Sequence, residues 1–235
     1  MLSGEVWWNL LLMLLCYGYV LLIIIVSSRM PTVFDVSQKT SRKFLHAMIG
    51  NLPFLIPFFT SNIYPVLVAA PFILVTFLAS PYSPIRNLKK LGGLSDMTEE
   101  GHPLGLIFYA TSYTLLAFFF ASEPYVIAAG IIPMAYGDSV ASLVGEKYGK
   151  RRYSFIANKS LEGSAAMFFG SLLSLTIALV FFSVLYSFSV SAMILRAIPV
   201  VFVATIIESI SPKGFDNLAV PILGALTLWL STGGI

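Results

Sequence analysis

The sequence predicts an all-α, polytopic integral membrane protein with about eight transmembrane helices, and two observations support this fold class. First, 57% of its 235 residues are hydrophobic and only 11% are charged, whereas a typical soluble domain has about 25% charged residues. Second, apolar runs long enough to cross a bilayer recur along the whole chain. The formal net charge of +3 is too small to favour binding to nucleic acid, so we expect no nucleic-acid partner.

The spans are defined by apolar runs of roughly 17–25 residues, some of them shorter and broken by proline. In chain order these runs are 6–26, 44–59, 63–79, 104–121, 125–141, 165–186, 192–207 and 218–230. Proline is tolerated inside them because neighbouring helices or water can satisfy the carbonyls that it frees. The runs 44–59 and 63–79 are also compatible with a re-entrant pair instead of two full spans.

Lysine and arginine are concentrated in the loops on one side of these spans. If the chain starts outside the cytosol, the loops 27–43, 80–103, 142–164 and 208–217 face inward and hold every basic residue except Arg196. The positive-inside rule then places both termini outside the cytosol. The outward loops are short and carry few polar residues, so we expect any polar substrate to react at the cytosolic face. Residues 1–235 are predicted to be one membrane domain, with the first span and a cytosolic linker in 1–41.

The first cluster of polar residues opens the second span. Arg42 and His46 are four residues apart and share a helix face, with Lys43 beside them. Two cations in a first helical turn oppose the helix dipole, and a phosphate bound at that helix end would resolve the conflict. The alternative is a juxtamembrane anchor for anionic lipid, and a lone histidine is more often a buried structural residue than a catalyst.

The second cluster follows the fifth span. Asp138 lies at the predicted cytosolic end of this span, where an ionisable residue is costly and usually functional. A carboxylate at a helix C-terminus is unfavourable unless a cation joins it, and Mg²⁺ commonly binds one or two carboxylates together with substrate phosphates. Gly145 and Gly149 would let the backbone approach phosphate oxygens, and a basic run begins at Lys150. The alternative is a helix that ends in a glycine turn before a cytosolic loop.

Two further clusters lie on the same face. In 158–164, Lys159 resembles a phosphate contact and Glu162 could pair with it or with a metal, while Ser164 is a natural N-cap. In 208–217, Asp216 or Asn217 could simply cap the last helix. A smaller group contains two acids and a histidine, but its spacing matches no established metal site, so we expect a solvated loop at 96–103.

In this order, each beside a span on the same face, these stretches resemble the polyprenol kinase family. That family includes the dolichol kinases, the phytol kinases and the CTP-dependent diacylglycerol kinases, and is related to the membrane cytidylyltransferases. The resemblance covers residues 42–221. It rests on Arg42-Lys43 with His46, on Gly137-Asp138-x-x-Ala141 to Gly145-x-x-x-Gly149, on 159–164, and on Asp216-Asn217-x-x-x-Pro221.

The resemblance implies that the γ-phosphoryl group of a nucleotide, usually CTP, passes to the hydroxyl of a membrane alcohol of the dolichol, phytol or geranylgeraniol type. Mg²⁺ or another divalent cation is the implied cofactor, held by Asp138 and Asp216. These two residues, Lys159 and His46 are the implied catalytic residues. The implied nucleotide-binding residues are Arg42, Lys43, Gly137, Ser142, Gly145, Gly149, Lys150, Lys159, Ser160, Glu162 and Gly163. The chain lacks the G-x-x-x-x-G-K-[ST] loop of soluble nucleotide triphosphatases.

Two alternative functions remain open from the sequence. A cytidylyltransferase of the same superfamily would attach CMP to a lipid phosphate and release pyrophosphate. A transporter or flippase would usually place polar residues near the middle of the bilayer, often at broken helices. The ionisable residues of this chain collect at one surface instead, and only its proline content favours transport.

Overall fold

The computed structural model describes residues 3–85, 104–154, 156, 158–212 and 214–233. This part of the chain is almost entirely helical, which confirms the predicted class, and it adds one short β-hairpin that was not predicted. The elements are α1 (Gly4–Phe34), α2 (Gln38–Ile49), a 3₁₀ helix (Leu52–Phe58), α3 (Ile63–Ala79), α4 (Gly105–Phe120), α5 (Pro124–Ile132), a π-helical turn (Pro133–Gly137), α6 (Asp138–Tyr148), β1 (Arg152–Ser154), β2 (Asn158–Ser160), α7 (Leu161–Tyr186), α8 (Val190–Ile210) and α9 (Asp216–Ser231).

Four helical segments of the described chain are long and apolar enough to cross a bilayer. They are α1, the continuous unit of α5, the π turn and α6, and the two helices α7 and α8. Helices α3, α4 and α9 are apolar but only 16 or 17 residues long, which corresponds to a rise of about 24–26 Å. The membrane character is therefore supported, while the count of eight spans and the outward position of both termini remain predictions.

Two predicted spans differ from the helices that form. The run 44–59 is not one helix, because α2 ends at Ile49 and a 3₁₀ helix containing Pro53 and Pro57 follows. The run 125–141 continues to Tyr148 through a π turn that begins at Pro133. Asp138 therefore opens α6 and does not lie at a helix C-terminus, so the helix-dipole argument for a cation at this position was wrong.

Prolines inside the helices free carbonyl groups, and these carbonyls accept hydrogen bonds from side chains of other helices. Pro31 has no N–H to donate to the carbonyl of Ser27, and the hydroxyl of Ser41 on α2 donates to that carbonyl instead. Pro71 likewise frees the carbonyl of Leu67, which accepts a 2.6 Å hydrogen bond from the Tyr17 hydroxyl of α1. These prolines thus attach α1 to the helices that follow it in the chain.

Helix α5 forms the centre of the packed core. Its residues from Val126 to Ile132 are all buried, and they pack into two hydrophobic clusters that include α4, α7, α8 and α9. A side chain at Gly130 would overlap the carbonyl of Pro221, and one at Gly224 would lie 3.0 Å from the carbonyl oxygen of Ala129. The small residues therefore bring α5 and α9 together, so the π turn at the end of α5 presents Asp138 next to the start of α9.

Candidate active site

A polar cavity of about 530 Å³ lies where α2, α6, the hairpin and the adjoining ends of α7, α8 and α9 meet. It gathers side chains from all four polar clusters of the sequence into one site. The predicted site residues that line it are Arg42, Lys43, His46, Asp138, Ser142, Gly145, Lys159, Ser160, Gly163 and Asp216. Four predicted nucleotide-binding residues do not line it, namely Gly137, Gly149, Lys150 and Glu162.

The innermost cation of the cavity is Lys43, whose ammonium group forms an ion pair with the carboxylate of Asp138. The side chains of Lys43 and Asp138 are only 15% and 5% exposed, so each charge depends on the other for compensation. Helix α2 begins at Gln38 behind the N-cap Ser37. Lys43 therefore lies in the second turn, and the prediction that it opens a helix in the first turn was wrong.

A second buried ion pair joins Lys159 on β2 to Glu208 near the end of α8. Burial is the largest single effect and lowers the pKa of Lys159, but the Glu208 carboxylate and, to a smaller extent, Asp138 and Asp216 together raise this pKa above its ordinary value. Lys159 is therefore protonated at neutral pH. The sequence did not single out Glu208 as a site residue, although an acid at the end of an apolar run is a signal that could have identified it.

Asp216 and Asn217 begin α9, but neither caps it as the sequence allowed. The residue at the N-cap is Phe215 and no side chain bonds there, whereas the Asp216 carboxylate accepts the N–H of Asn217 at 3.1 Å. Both side chains line the cavity. Asp216 is also close enough to Asp138 to interact with it electrostatically.

The oxygen atoms at this end of the cavity fit a hard divalent cation. Within the described chain, the buried amide oxygen of Asn217 has no hydrogen-bond partner. Pro221 lacks an N–H, so the main-chain carbonyl of Asn217 also loses its helical donor. No group of three His, Cys, Asp or Glu side chains suited to a metal occurs among the described residues, but Mg²⁺ takes only one or two carboxylates and keeps several waters. Asp138, Asp216 and Asn217 are therefore the residues that could hold it.

The glycines of the second cluster serve helix packing. Gly145 lies inside α6, so its N–H belongs to the helix and the predicted phosphate loop is not formed. A side chain at Gly145 would lie 3.3 Å from the Ser160 hydroxyl, and one at Gly163 would lie 3.0 Å from it. Gly149 ends α6 and also lies against Ser160. Gly137 packs against Ser171 on α7.

The hairpin and the start of α7 form one hydrogen-bonded unit that carries Lys159 into the cavity. Ser160, and not Ser164 as predicted, is the N-cap of α7, since its hydroxyl accepts the N–H of Gly163 at 3.1 Å. The Glu162 carboxylate accepts the N–H groups of Lys150 and Arg151 at 3.2–3.3 Å. Glu162 therefore holds the backbone before β1, and Lys159 pairs with Glu208 and not with Glu162.

The lining of the cavity also includes residues outside the predicted set of catalytic and nucleotide-binding residues. Lys39 on α2 forms an exposed ion pair with Glu146 on α6, and Arg152 and Asn158 of the hairpin also line the cavity. The solvated loop predicted at 96–103 lies outside the described residues, as do the basic residues Arg86, Lys89, Lys90 and Lys213.

Comparison with curated proteins gives three informative relatives. A phytol kinase of Synechocystis sp. is 40% identical over 131 residues, which is 54% of each chain. A probable phytol kinase 1 of Glycine max is 31% identical over 80% of this chain and 65% of its own length, and a farnesol kinase of Arabidopsis thaliana is 28% identical over 84% and 66%. The chain thus spans between about half and two thirds of the length of these relatives.

No protein-family model and no solved structure matches the chain. The similarity to the relatives covers most of the chain, and the motifs at 42–46, 137–149, 159–164 and 216–221 meet around one cavity. The similarity to phytol kinases and to a farnesol kinase supports the assignment of this chain to the polyprenol kinase family.

Proposed function

We propose that this protein transfers the γ-phosphoryl group of CTP to the hydroxyl of a membrane-dissolved isoprenoid alcohol at the cytosolic face. The observation that carries the proposal is the cavity itself, in which partly buried lysines meet buried carboxylates beside a set of apolar helices. The names of the relatives, phytol kinase and farnesol kinase, favour an alcohol of that class. Dolichol and geranylgeraniol remain candidate substrates.

In the proposed reaction, the alcohol oxygen forms a bond to the γ-phosphorus while the bond from that phosphorus to the bridging oxygen breaks, and CDP leaves. Such a transfer depends mainly on positioning and on neutralising the phosphate charge. Lys43, Lys159 and Arg42 are placed to do this, since all three line the cavity. Because Lys43 and Lys159 already have carboxylate partners, an incoming triphosphate must compete with Asp138 and Glu208 for them.

The carboxylates supply the remaining functions of the proposed site. When bound, Mg²⁺ would neutralise the charge of the phosphates, and Asp138, Asp216 and the Asn217 amide oxygen are the groups that would hold it. Asp216 would serve either as a second metal ligand or as the base that accepts the proton of the alcohol, since Asp138 is already paired with Lys43.

The test uses the purified full-length chain with Mg²⁺, a panel of lipid alcohols, and CTP labelled at either the γ or the α phosphate. Transfer of the γ label to phytol, farnesol or geranylgeraniol supports the proposal. Transfer of the α label to a lipid phosphate would identify a cytidylyltransferase instead. Equal competition by ATP, GTP and UTP against labelled CTP would overturn the choice of CTP while leaving the kinase assignment in place.

A further inference from the structure

A second cavity lies between α1, α2, α3 and α4, on the membrane side of the polar site. It is a narrow apolar groove of about 60 Å³, with walls that include Val20, Leu45, Val68, Phe72 and Leu106. The hydroxyl of Thr76 in its wall is satisfied by its own helix. The hydroxyl of Tyr113 at the far end is buried and has no partner among the described residues. Apart from the Tyr113 hydroxyl, the groove is lined by apolar side chains and by hydroxyls that already have partners.

The groove and the polar cavity are separated by one pair of rings. His46 lines the polar cavity and Tyr109 lines the groove, and the two rings are stacked with centroids 4.8 Å apart and planes 12° apart. Residues that are adjacent in sequence line the two cavities. Leu45 and Leu106 line the groove, whereas their neighbours His46 and Gly105 line the polar cavity. A molecule with its polar end in the cavity thus reaches the groove within the thickness of one side chain.

The groove runs away from the site into the membrane region. Along α4 it extends from Leu106 to Tyr113, which is a rise of about 10 Å. Its neighbours Leu21 on α1 and Leu74 on α3 are 56% and 61% exposed, as expected for residues that face lipid. The small volume therefore suits the first part of a thin hydrocarbon chain, whose remainder would continue into the bilayer.

We propose that this groove holds the isoprenoid chain of the substrate alcohol, and that the hydroxyl enters the polar cavity past the His46–Tyr109 pair. The inference rests on the proposed kinase function and adds the site that recognises the chain. Three observations select this occupant over a soluble ligand: apolar walls, a separation from the polar cavity by only the His46–Tyr109 pair, and exposed apolar side chains on the outer faces of α1 and α3. The groove residues then determine which chains are accepted, because a single methylene in an apolar pocket changes specificity about 10- to 200-fold.

The first test narrows the groove. Ala110 is only partly buried and lines it, so Ala110→Phe should lower kcat/KM for geranylgeraniol by about tenfold or more while the KM for CTP stays within about twofold. Leu74→Phe, which adds the same ring on the lipid-facing side of α3, is the matched control and should leave both values near those of the wild type. A melting curve in detergent for each variant separates a blocked groove from a damaged fold.

The second test widens the groove and does not rely on activity being lost. Phe72→Ala should raise the relative kcat/KM for a bulkier, branched alcohol over that for farnesol, since it removes a ring from the wall. If Ala110→Phe and Phe72→Ala both keep the wild-type preference among alcohols, the groove does not bind the isoprenoid chain and the inference is wrong. The proposed kinase function would be unaffected by that result.

A binding readout separates the inference from the kinase proposal. A farnesol analogue carrying a diazirine on its chain should label peptides of α1 to α4 in the wild type, and Ala110→Phe should abolish that labelling. This result would support the groove even if no alcohol were phosphorylated. Labelling confined to α7 or α8 would overturn the inference. So would equal labelling of α1 to α4 by a diazirine phospholipid that excess farnesol does not displace, because ordinary lipid would then occupy the groove.

Discussion

At the scale of single residues, the site is organised by two buried ion pairs that the sequence did not reveal. The sequence suggests that Asp138 carries an uncompensated charge near the membrane, whereas the structure pairs it with Lys43 from another helix. Glu208 compensates Lys159 in the same way. In both pairs the partners come from different elements, so no spacing pattern within one segment could have predicted them.

The Lys43–Asp138 pair gives the first prediction. Asp138→Asn should abolish turnover, because it removes the proposed metal ligand, and it should also lower stability by about 1–3 kcal/mol, because Lys43 is left buried without its partner. Replacing both residues, as Lys43→Met with Asp138→Asn, should recover most of the melting temperature without recovering activity. Substantial activity in Asp138→Asn would exclude a metal-ligand role, and unchanged stability would show that Lys43 finds another partner.

The Lys159–Glu208 pair gives a prediction about pH. Burial lowers the pKa of Lys159, and the neighbouring carboxylates, Glu208 above all, raise it above the ordinary value. Glu208→Gln removes the carboxylate that contributes most to raising the pKa of Lys159, while the effect of burial stays. The pKa of Lys159 should therefore fall, and Lys159 should lose its proton at a lower pH. We therefore expect the alkaline decline of kcat/KM for CTP to begin at a lower pH in Glu208→Gln than in the wild type.

The measurement is a profile of kcat/KM for CTP from neutral to alkaline pH, for the wild type and Glu208→Gln. Adding Lys159→Arg to Glu208→Gln should remove this alkaline decline, because the guanidinium group keeps its proton throughout that range. An alkaline limb at the same pH in the wild type and Glu208→Gln would show that Lys159 does not carry the charge that binds the nucleotide.

At the scale of the elements, the sequence predicted the apolar segments better than their ends. Hydrophobic runs identify apolar helices directly, and α3, α4, α7 and α8 begin within four residues of the predicted spans. The break after Ile49 and the π turn at Pro133 depend on how the chain packs around each proline, which composition alone does not specify. The three-residue strands of the hairpin, Arg152–Ser154 and Asn158–Ser160, are too short to give an alternating pattern.

The contact between α6 and α7 gives a prediction about its glycines. A methyl group at Gly163 would lie 3.0 Å from the Ser160 hydroxyl and 3.2 Å from the Ala141 carbonyl oxygen, whereas one at Gly145 would lie 3.3 Å from Ser160 and meet no other atom that closely. Gly163→Ala should therefore destabilise by about 1–3 kcal/mol through overpacking. Gly145→Ala should cost less, because alanine favours a helix interior over glycine by about 0.5–1 kcal/mol.

Melting curves of the two variants in the same detergent test this order. The same pair also separates packing from phosphate binding, since the packing role predicts a lower melting temperature with little change in the KM for CTP. A large rise in that KM for Gly145→Ala, at unchanged stability, would restore the interpretation that this glycine contacts phosphate.

At the scale of the whole molecule, the four polar clusters of the sequence surround one cavity in the part of the chain that the structure describes. The motifs are separated by up to about 170 residues of sequence, and yet the cavity contains members of every one of them. Positive-inside counting predicted that they share a membrane face, and that grouping agrees with the cavity. Counting Lys and Arg residues could not predict the position of Asp138 within the cavity, because that position depends on the π turn at the end of α5.

The predicted orientation can be tested with single cysteines. All Lys and Arg residues except Arg196 lie in the loops assigned to the cytosol, so both termini and the loop at Asn62 should face the opposite side. Lys150 and Asn62 are exposed, and the native Cys16 is buried at 2% exposure, so background labelling should be low. A cysteine at Lys150 should react with an impermeant thiol reagent only when the cytosolic face is accessible, as in inverted vesicles. A cysteine at Asn62 should react only from the outside, and labelling of both from one side would contradict the count of eight spans.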